Sequence, residues 1–137
     1  MAIKPSDQES EIKRFNRSFR HALSGLKYAV SYERNFQIEL VVAFFVVVLI
    51  KIFEIKSWEA VVLVLMIMWV LITELTNTVV ERVVDILKPR IHPYAKLIKD
   101  IMAAVVLISS VMAAVVGIII FYPYFRRLLE EGVRTLF

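Results

Sequence analysis

The sequence WEAVVLVLMIMWVLITELTNTVVE, which runs from Trp58 to Glu81, is apolar for most of its length and ends in polar residues. It is long enough to cross a bilayer, which takes about 20 apolar residues in a helix. Glu74, Asn77 and Glu81 follow one another at spacings of three and four residues, so a helix would place them on one face. Ionisable side chains at membrane depth are costly and are usually kept for function. These three side chains are therefore the first candidates for a functional site.

The composition is that of a membrane protein rather than of an ordinary soluble domain. Of the 137 residues, 59% are hydrophobic, and the mean hydropathy is +0.70. The absence of cysteine excludes a disulfide framework and a thiolate metal site. The three glycines, Gly25, Gly117 and Gly132, form no Walker loop, kinase glycine-rich loop or dinucleotide fingerprint. We therefore predict an all-α membrane protein of one domain.

Hydropathy predicts three membrane helices, at about residues 36–55, 58–82 and 100–122. Glu39 lies near the start of the first helix, and we interpret it as a snorkelling or salt-bridged residue. Pro123 suits the end of the third helix, because proline removes a backbone hydrogen bond. In the third helix, small residues repeat every four positions, which predicts close helix contact within one chain or between chains.

An amphipathic helix is predicted before these segments, at about residues 9–32. Phe15, Phe19 and Leu23 recur at helical spacing, while basic residues cover the other faces. This pattern is typical of a helix that lies on an anionic membrane surface. A solvated helix that packs on its own domain is the alternative interpretation.

The placement of lysine and arginine predicts the orientation of the chain. The N-terminal segment and the connection Lys88–Lys99 are basic, whereas the connection around Lys51–Glu59 is balanced. The positive-inside rule therefore places the N-terminus and Lys88–Lys99 in the cytoplasm and the other connection outside. The C-terminal tail would also lie outside, although its arginines would favour the cytoplasmic side under the same rule.

A second polar cluster follows the acidic one. Residues Lys88–Asp100 supply His92 and several basic side chains, which can hold phosphates. Glu33 is expected at the same membrane level, and carboxylates beside basic groups suggest a magnesium–nucleotide site. His92 beside Pro93 could also be a turn residue, and Asp85 could simply pair with Lys88 or Arg82.

Three motifs together resemble the small bacterial integral-membrane diacylglycerol kinase family, which includes the undecaprenol kinases. They are Glu33-x-x-Phe36, Glu74-x-x-Asn77-x-x-x-Glu81-x-x-x-Asp85 and His92-Pro93-x-Ala95-Lys96-x-x-Lys99-Asp100. The resemblance covers roughly Arg14 to Phe121. It implies a lipid kinase domain over residues 1–125 and a C-terminal extension over residues 126–137. The chain departs from the family pattern at Gln37, Glu39 and Met102.

The resemblance implies ATP-dependent phosphorylation of a lipid alcohol with Mg²⁺ as cofactor. It further implies a homotrimer with active sites shared between subunits, in the bacterial inner (cytoplasmic) membrane, and no nucleic-acid partner. Glu74 matches the catalytic base, Asn77 a polar residue of the catalytic centre, and Glu33 and Glu81 the metal ligands. Expected lipid contacts are Phe36, Glu74 and Ala103. Expected ATP contacts are Arg14, His21, Glu33, Glu81, Arg90, Ile91, His92, Lys99 and Asp100.

The lipid is expected to be undecaprenol, with diacylglycerol as the alternative. Glu33-Arg34-Asn35-Phe36 and His92-Pro93 resemble the Gram-positive branch, in which undecaprenol is the usual substrate. An inactive membrane scaffold and a small ion-coupled transporter are alternatives of other classes. The intact acidic and basic motifs argue against the scaffold, and a transporter would not explain the cluster that contains Lys99 and Asp100.

Overall fold

The computed structural model describes the backbone of residues 5–134 and the side chains of residues 11–87 and 94–131. The chain divides into two compact units, Met1–Gln37 and Ile38–Phe137. Every regular element in the described backbone is helical, which confirms the predicted all-α class. The helices are α1 (Pro5–Tyr32), α2 (Arg34–Ile52) and α3 (Ser57–Arg134).

Helix α1 begins at Pro5, earlier than predicted, and only Glu33 separates it from α2. Helical hydrogen bonding continues across this joint. The Glu33 N–H donates to the Ala29 carbonyl at 3.0 Å, and the Gln37 N–H donates to the Glu33 carbonyl at 3.1 Å. The Gln37 side chain also donates to the Val30 carbonyl at 2.9 Å. The backbone groups at the joint therefore stay paired without a loop.

Three helical segments are long and apolar enough to cross a membrane, which confirms the predicted number. We call them the first span (Arg34–Ile52), the second span (Ser57–Leu87) and the third span (Tyr94–Glu131). The predicted boundaries differ at the ends, because α2 stops before residue 55 and the second span continues beyond residue 82. Most of their large apolar side chains are exposed, as expected for surfaces that face lipid.

The second and third spans belong to one helical run, so the backbone of the basic connection between them is helical. In a straight helix Trp69 and Ser109 would be about 60 Å apart. Their side chains are instead 3.2 Å apart, and those of Asp85 and Lys99 are 2.7 Å apart. The run must therefore reverse direction between Asp85 and Lys99, where the sequence contains two prolines, residues that kink helices.

Pro123 does not end the third helix as predicted, because α3 continues beyond it. Aromatic packing surrounds this position. The ring of Phe53 lies 6.2 Å from that of Phe121, 6.3 Å from that of Tyr124 and 4.8 Å from that of Phe125. These contacts on both sides of the proline hold the helix in place and offset the lost backbone hydrogen bond. We call these four rings the aromatic cluster.

The turn after α2 is a Schellman motif centred on Glu54. The Glu54 N–H donates to the Lys51 carbonyl at 3.4 Å, and the Ile55 N–H donates to the Ile50 carbonyl at 3.2 Å. Glu54 has a φ of 48°, in the left-handed region that usually needs glycine. Ile50 packs against the buried cluster that contains Ile55, which is the apolar contact typical of this motif.

A hydrogen-bonded clamp joins the start of α3 to its far end. The Tyr124 hydroxyl donates to Glu59 Oε2 at 2.5 Å and accepts from the Lys56 N–H at 3.3 Å. Glu59 therefore accepts a hydrogen bond from a neutral hydroxyl. The clamp fixes the two ends of α3 against each other beside the aromatic cluster.

Candidate active site

The second span has one buried face, and the acidic stripe lies on it. Glu74 is only 3% exposed and Asn77 only 6%, while Glu81 is half-buried. Leu63 and Val84, on the same face, are each 3% exposed. Burying polar groups to this degree costs free energy unless they are hydrogen-bonded. Such residues in membrane spans are therefore usually kept for a function.

Glu39 Oε2 is buried and the carboxylate lies within electrostatic range of Glu74, so the interpretation of Glu39 as a snorkelling residue is wrong. The two carboxylates are close enough to repel each other electrostatically. Glu39 Oε2 and Asn77 Oδ1 are buried and accept no hydrogen bond from the residues that the structure describes. Like charges in a region of low dielectric repel strongly, and a bound cation or proton would relieve that repulsion. The two carboxylates and the amide thus form a buried acidic centre.

An apolar groove includes one residue of this centre, Glu39, in its lining. It has a volume of about 610 Å³ and is lined by all three spans. Among the described residues, Glu39 is the one charged side chain in its lining, and Phe121 and Phe125 connect it to the aromatic cluster. Ala113 and Gly117 leave room in it, and a Cβ at Gly117 would meet nothing within 4 Å. Its size and lining are those of a ligand pocket, with one acidic group in the lining.

Lys99 and Asp85 form an ion pair between the second and third spans. Lys99 Nζ donates to Asp85 Oδ1 at 2.7 Å, and the side chains are 37% and 51% exposed. An ammonium has three N–H donors, so Lys99 can hold Asp85 and still donate to a phosphate oxygen. The neighbouring Asp100 is exposed.

The other predicted site residues differ in exposure. Arg14 and His21 are exposed on α1, Glu33 is half-buried, and Phe36 is buried at 2% exposure. Ala103, a predicted lipid contact, is exposed on the third span. Three predicted nucleotide contacts lie outside the side chains that the structure describes: Arg90, Ile91 and His92.

The donor chemistry of the predicted metal ligands suits Mg²⁺. Within residues 11–87 and 94–131 there is no group of three or more acidic, histidine or cysteine side chains that could hold a metal ion. Mg²⁺ usually keeps several waters and binds one or two carboxylates together with substrate phosphates. Two half-buried carboxylates, Glu33 and Glu81, are donors of this kind.

Sequence reasoning missed two features of this region. The first is the approach of Glu39 to Glu74. Glu39, Ala43 and Val46 share one face of α2, and all three line the groove, but their spacing alone does not say which helix that face meets. The second is the hydrogen bond from Trp69 Nε1 to Ser109 Oγ, at 3.2 Å. It shows that the third span meets the second span of the same chain at Ser109.

Comparison with known proteins identifies a matching family profile and two related proteins. A profile described as prokaryotic diacylglycerol kinase matches residues 20–121. An undecaprenol kinase of Bacillus subtilis is 34% identical over 117 residues, which are 85% of this chain and 95% of that protein. A diacylglycerol kinase of Synechocystis is 36% identical over 101 residues, 73% of this chain and 58% of that protein. The matched region includes the second span, Lys99 and Asp100.

Proposed function

The chain belongs to the prokaryotic diacylglycerol kinase family, and on that basis we propose that it transfers phosphate from ATP to the hydroxyl group of undecaprenol. The observation that carries the proposal is the buried carboxylate of Glu74 on a span that is long and apolar enough to cross the membrane, and that also contributes Val70 and Leu71 to the lining of an apolar groove. A lipid substrate keeps its chain in the bilayer, so a base must lie at membrane depth to reach its hydroxyl. The likeness to the undecaprenol kinase, which covers nearly all of that protein, supports undecaprenol.

Glu74 acts as the general base. Its carboxylate takes the proton of the lipid hydroxyl while the hydroxyl oxygen bonds to the γ-phosphorus of ATP. The bond from that phosphorus to the β,γ-bridging oxygen breaks, and ADP leaves. Asn77, one helical turn from Glu74, holds the reacting groups in position through its amide. Because this reaction needs positioning more than covalent chemistry by the protein, a rigid buried pair is suited to it.

Glu33 and Glu81 would hold the metal ion, and basic groups would hold the phosphates. Bound Mg²⁺ would neutralise the charge that develops on the phosphates during transfer. Lys99 donates to a phosphate oxygen while Asp85 keeps its ammonium in place. Asp100 lies beside it as a further nucleotide contact. The remaining proposed ATP contacts are Arg14, His21, Arg90, Ile91 and His92.

The groove holds the hydrocarbon chain of the lipid. Its lining is almost entirely apolar and includes Glu39, which lies within electrostatic range of the proposed base. Apolar contacts with the groove would hold the chain in one position while the hydroxyl stays near Glu74. Phe36 and Ala103 are further proposed lipid contacts.

The active form is a homotrimer in the bacterial inner membrane, with sites shared between subunits. The N-terminus and the reversal between the second and third spans face the cytoplasm, where ATP is available. Helix α1 lies on the membrane surface as an amphipathic helix. Exposed Lys13, Arg17 and Arg20 suit anionic headgroups, and Phe15 and Phe19, whose rings stack at 6.4 Å, suit the apolar layer. Residues 1–125 form the kinase domain, and residues 126–137 extend it.

The test is a phosphate transfer assay. Purified protein in lipid receives labelled ATP, Mg²⁺ and either undecaprenol or diacylglycerol, and the labelled lipid is identified. We expect metal-dependent transfer that favours undecaprenol. Preference for diacylglycerol would reassign the substrate to the one named for the Synechocystis relative. No transfer to any lipid alcohol would favour an inactive scaffold.

A further inference from the structure

We infer that Trp69 and Ser109 form a positioning pair that fixes the register of the second span against the third. This inference rests on the proposed kinase function, because the two spans carry the proposed base and the proposed nucleotide ligands. Trp69 Nε1 donates to Ser109 Oγ at 3.2 Å, and Ser109 Oγ donates to the Val105 carbonyl at 2.9 Å.

The hydrogen bonds leave Ser109 with a defined orientation. A hydroxyl has one donor, which Ser109 gives to Val105, and its lone pairs are available to the indole N–H. Ser109 is 4% exposed, whereas Trp69 is 52% exposed. The indole ring therefore lies mostly on the outer surface, and its N–H reaches inward to a buried acceptor. Within hydrocarbon no water can replace that acceptor, so separating the spans here would leave the N–H unsatisfied.

The pair is placed where it can control the site. Trp69 precedes Glu74 by five residues, and Ser109 follows Asp100 by nine. On the other side of Glu74, the ion pair between Asp85 and Lys99 also joins the same two spans. Glu74 thus lies between two polar links along its helix. Sliding or rotation of one span at Trp69 would displace the base from the phosphate, without changing any group that touches the nucleotide.

This position predicts a specific kinetic signature. Trp69→Phe removes the N–H but keeps an aromatic ring on the exposed surface, and Ser109→Ala removes the acceptor but keeps a small residue. Each change should lower kcat by roughly tenfold. This is less than the ~100-fold loss that a displacement of reacting groups by about 1 Å can cause. The KM for ATP should stay within about twofold, because no nucleotide ligand is altered. The double variant should be no worse than either single variant, because both remove the same bond.

Two further variants separate positioning from general damage. Trp58→Phe is the matched control, since Trp58 is an exposed tryptophan with no hydrogen bond to the third span among the described residues. It should keep wild-type kcat. Ser109→Thr restores a hydroxyl at the same position and should restore most of the rate. Additive losses in the double variant, or a Ser109→Thr protein as slow as Ser109→Ala, would overturn the inference.

A second measurement does not depend on activity. With Trp58→Phe as background, Trp69 is the one remaining indole, so the exchange of its N–H with solvent can be followed by NMR. Ser109→Ala should speed this exchange, and Ser109→Thr should slow it again. Unchanged exchange in Ser109→Ala would refute the hydrogen bond itself. A protected indole in a protein that phosphorylates no lipid would refute the proposed function and leave the bond intact.

Discussion

Asp85 and Lys99 belong to one helical run, yet Lys99 Nζ lies 2.7 Å from Asp85 Oδ1, because the run reverses direction between them. The contact ties the cytoplasmic ends of the second and third spans in the proposed topology. It also holds the ammonium group that we assign to ATP. The ion pair therefore links the geometry of the reversal to the nucleotide site that we propose.

Asp85→Asn should weaken ATP binding more than it weakens the fold. Both partners are more than a third exposed, so the loss in stability should be about 1 kcal/mol or less. Lys99 would lose the carboxylate that orients it, so the KM for ATP should rise by roughly 3- to 10-fold. The upper value corresponds to about 1.4 kcal/mol, the free energy of one charge-assisted hydrogen bond. The control is Arg126→Gln, which removes the exposed pair with Glu130 and should leave the KM unchanged. An unchanged KM in Asp85→Asn would separate this pair from the nucleotide site.

Glu74→Gln should abolish turnover while ATP still binds. The amide keeps the shape of the side chain but cannot take a proton, so kcat should fall by at least about 100-fold. Glu81→Gln should instead weaken metal-dependent ATP binding together with turnover, because it removes a proposed metal ligand. Nucleotide binding and kcat measured on both variants check this division. Equal loss of ATP binding in the two proteins would contradict it.

Gly117→Leu should obstruct the lipid groove without disturbing the fold. A side chain at Gly117 enters open space in the groove, and leucine favours a helix over glycine by roughly 0.8 kcal/mol. The KM for the lipid should rise by at least about tenfold, since the added side chain occupies volume assigned to the lipid chain. Gly25→Leu is matched to it, because a Cβ there also meets nothing within 4 Å. That variant lies on α1, outside the groove, and a similar rise in it would show that the effect is not steric.

Single cysteines should report the predicted topology, since the native chain has none. Lys96→Cys should be protected from a membrane-impermeant thiol reagent in intact cells, and Lys56→Cys should be labelled from outside. Both side chains are exposed, so access depends on which side of the membrane they occupy. Labelling of Lys96→Cys from outside would place the reversal, and with it Lys99, on the side without ATP.

Glu54→Gly should stabilise the protein. A non-glycine residue at a φ of 48° costs about 1–2 kcal/mol, part of which glycine regains. We expect a gain of about 0.5–1 kcal/mol, measured as a higher thermal midpoint in detergent. Lys51→Gly, in the last turn of α2, should lower the midpoint, because glycine costs about 0.5–1 kcal/mol inside a helix. Destabilisation by both changes would mean that the Glu54 side chain stabilises the turn.

The spans and the acidic stripe could be predicted because both depend on local sequence. Apolar runs of sufficient length predict membrane helices, and spacings of three and four residues predict a shared face. The approach of Glu39 to Glu74 could not be predicted in this way, because it depends on how α2 packs on the second span. Pro123 misled the boundary prediction for a similar reason. Its cost to the helix is local, whereas the compensating rings, above all Phe53, come from a distant part of the chain.

The clamp between Tyr124 and Glu59 has a consequence for biosynthesis. Glu59 leaves the ribosome 65 residues before Tyr124, which takes roughly 3–13 s at ~5–20 residues per second. During that interval Phe53 lacks its aromatic neighbours and Glu59 lacks the hydroxyl that later binds it. The first two spans therefore enter the bilayer as an uncovered hairpin. The last helix to be synthesised completes the packing of the first turn, so insertion must keep the early spans together until it arrives.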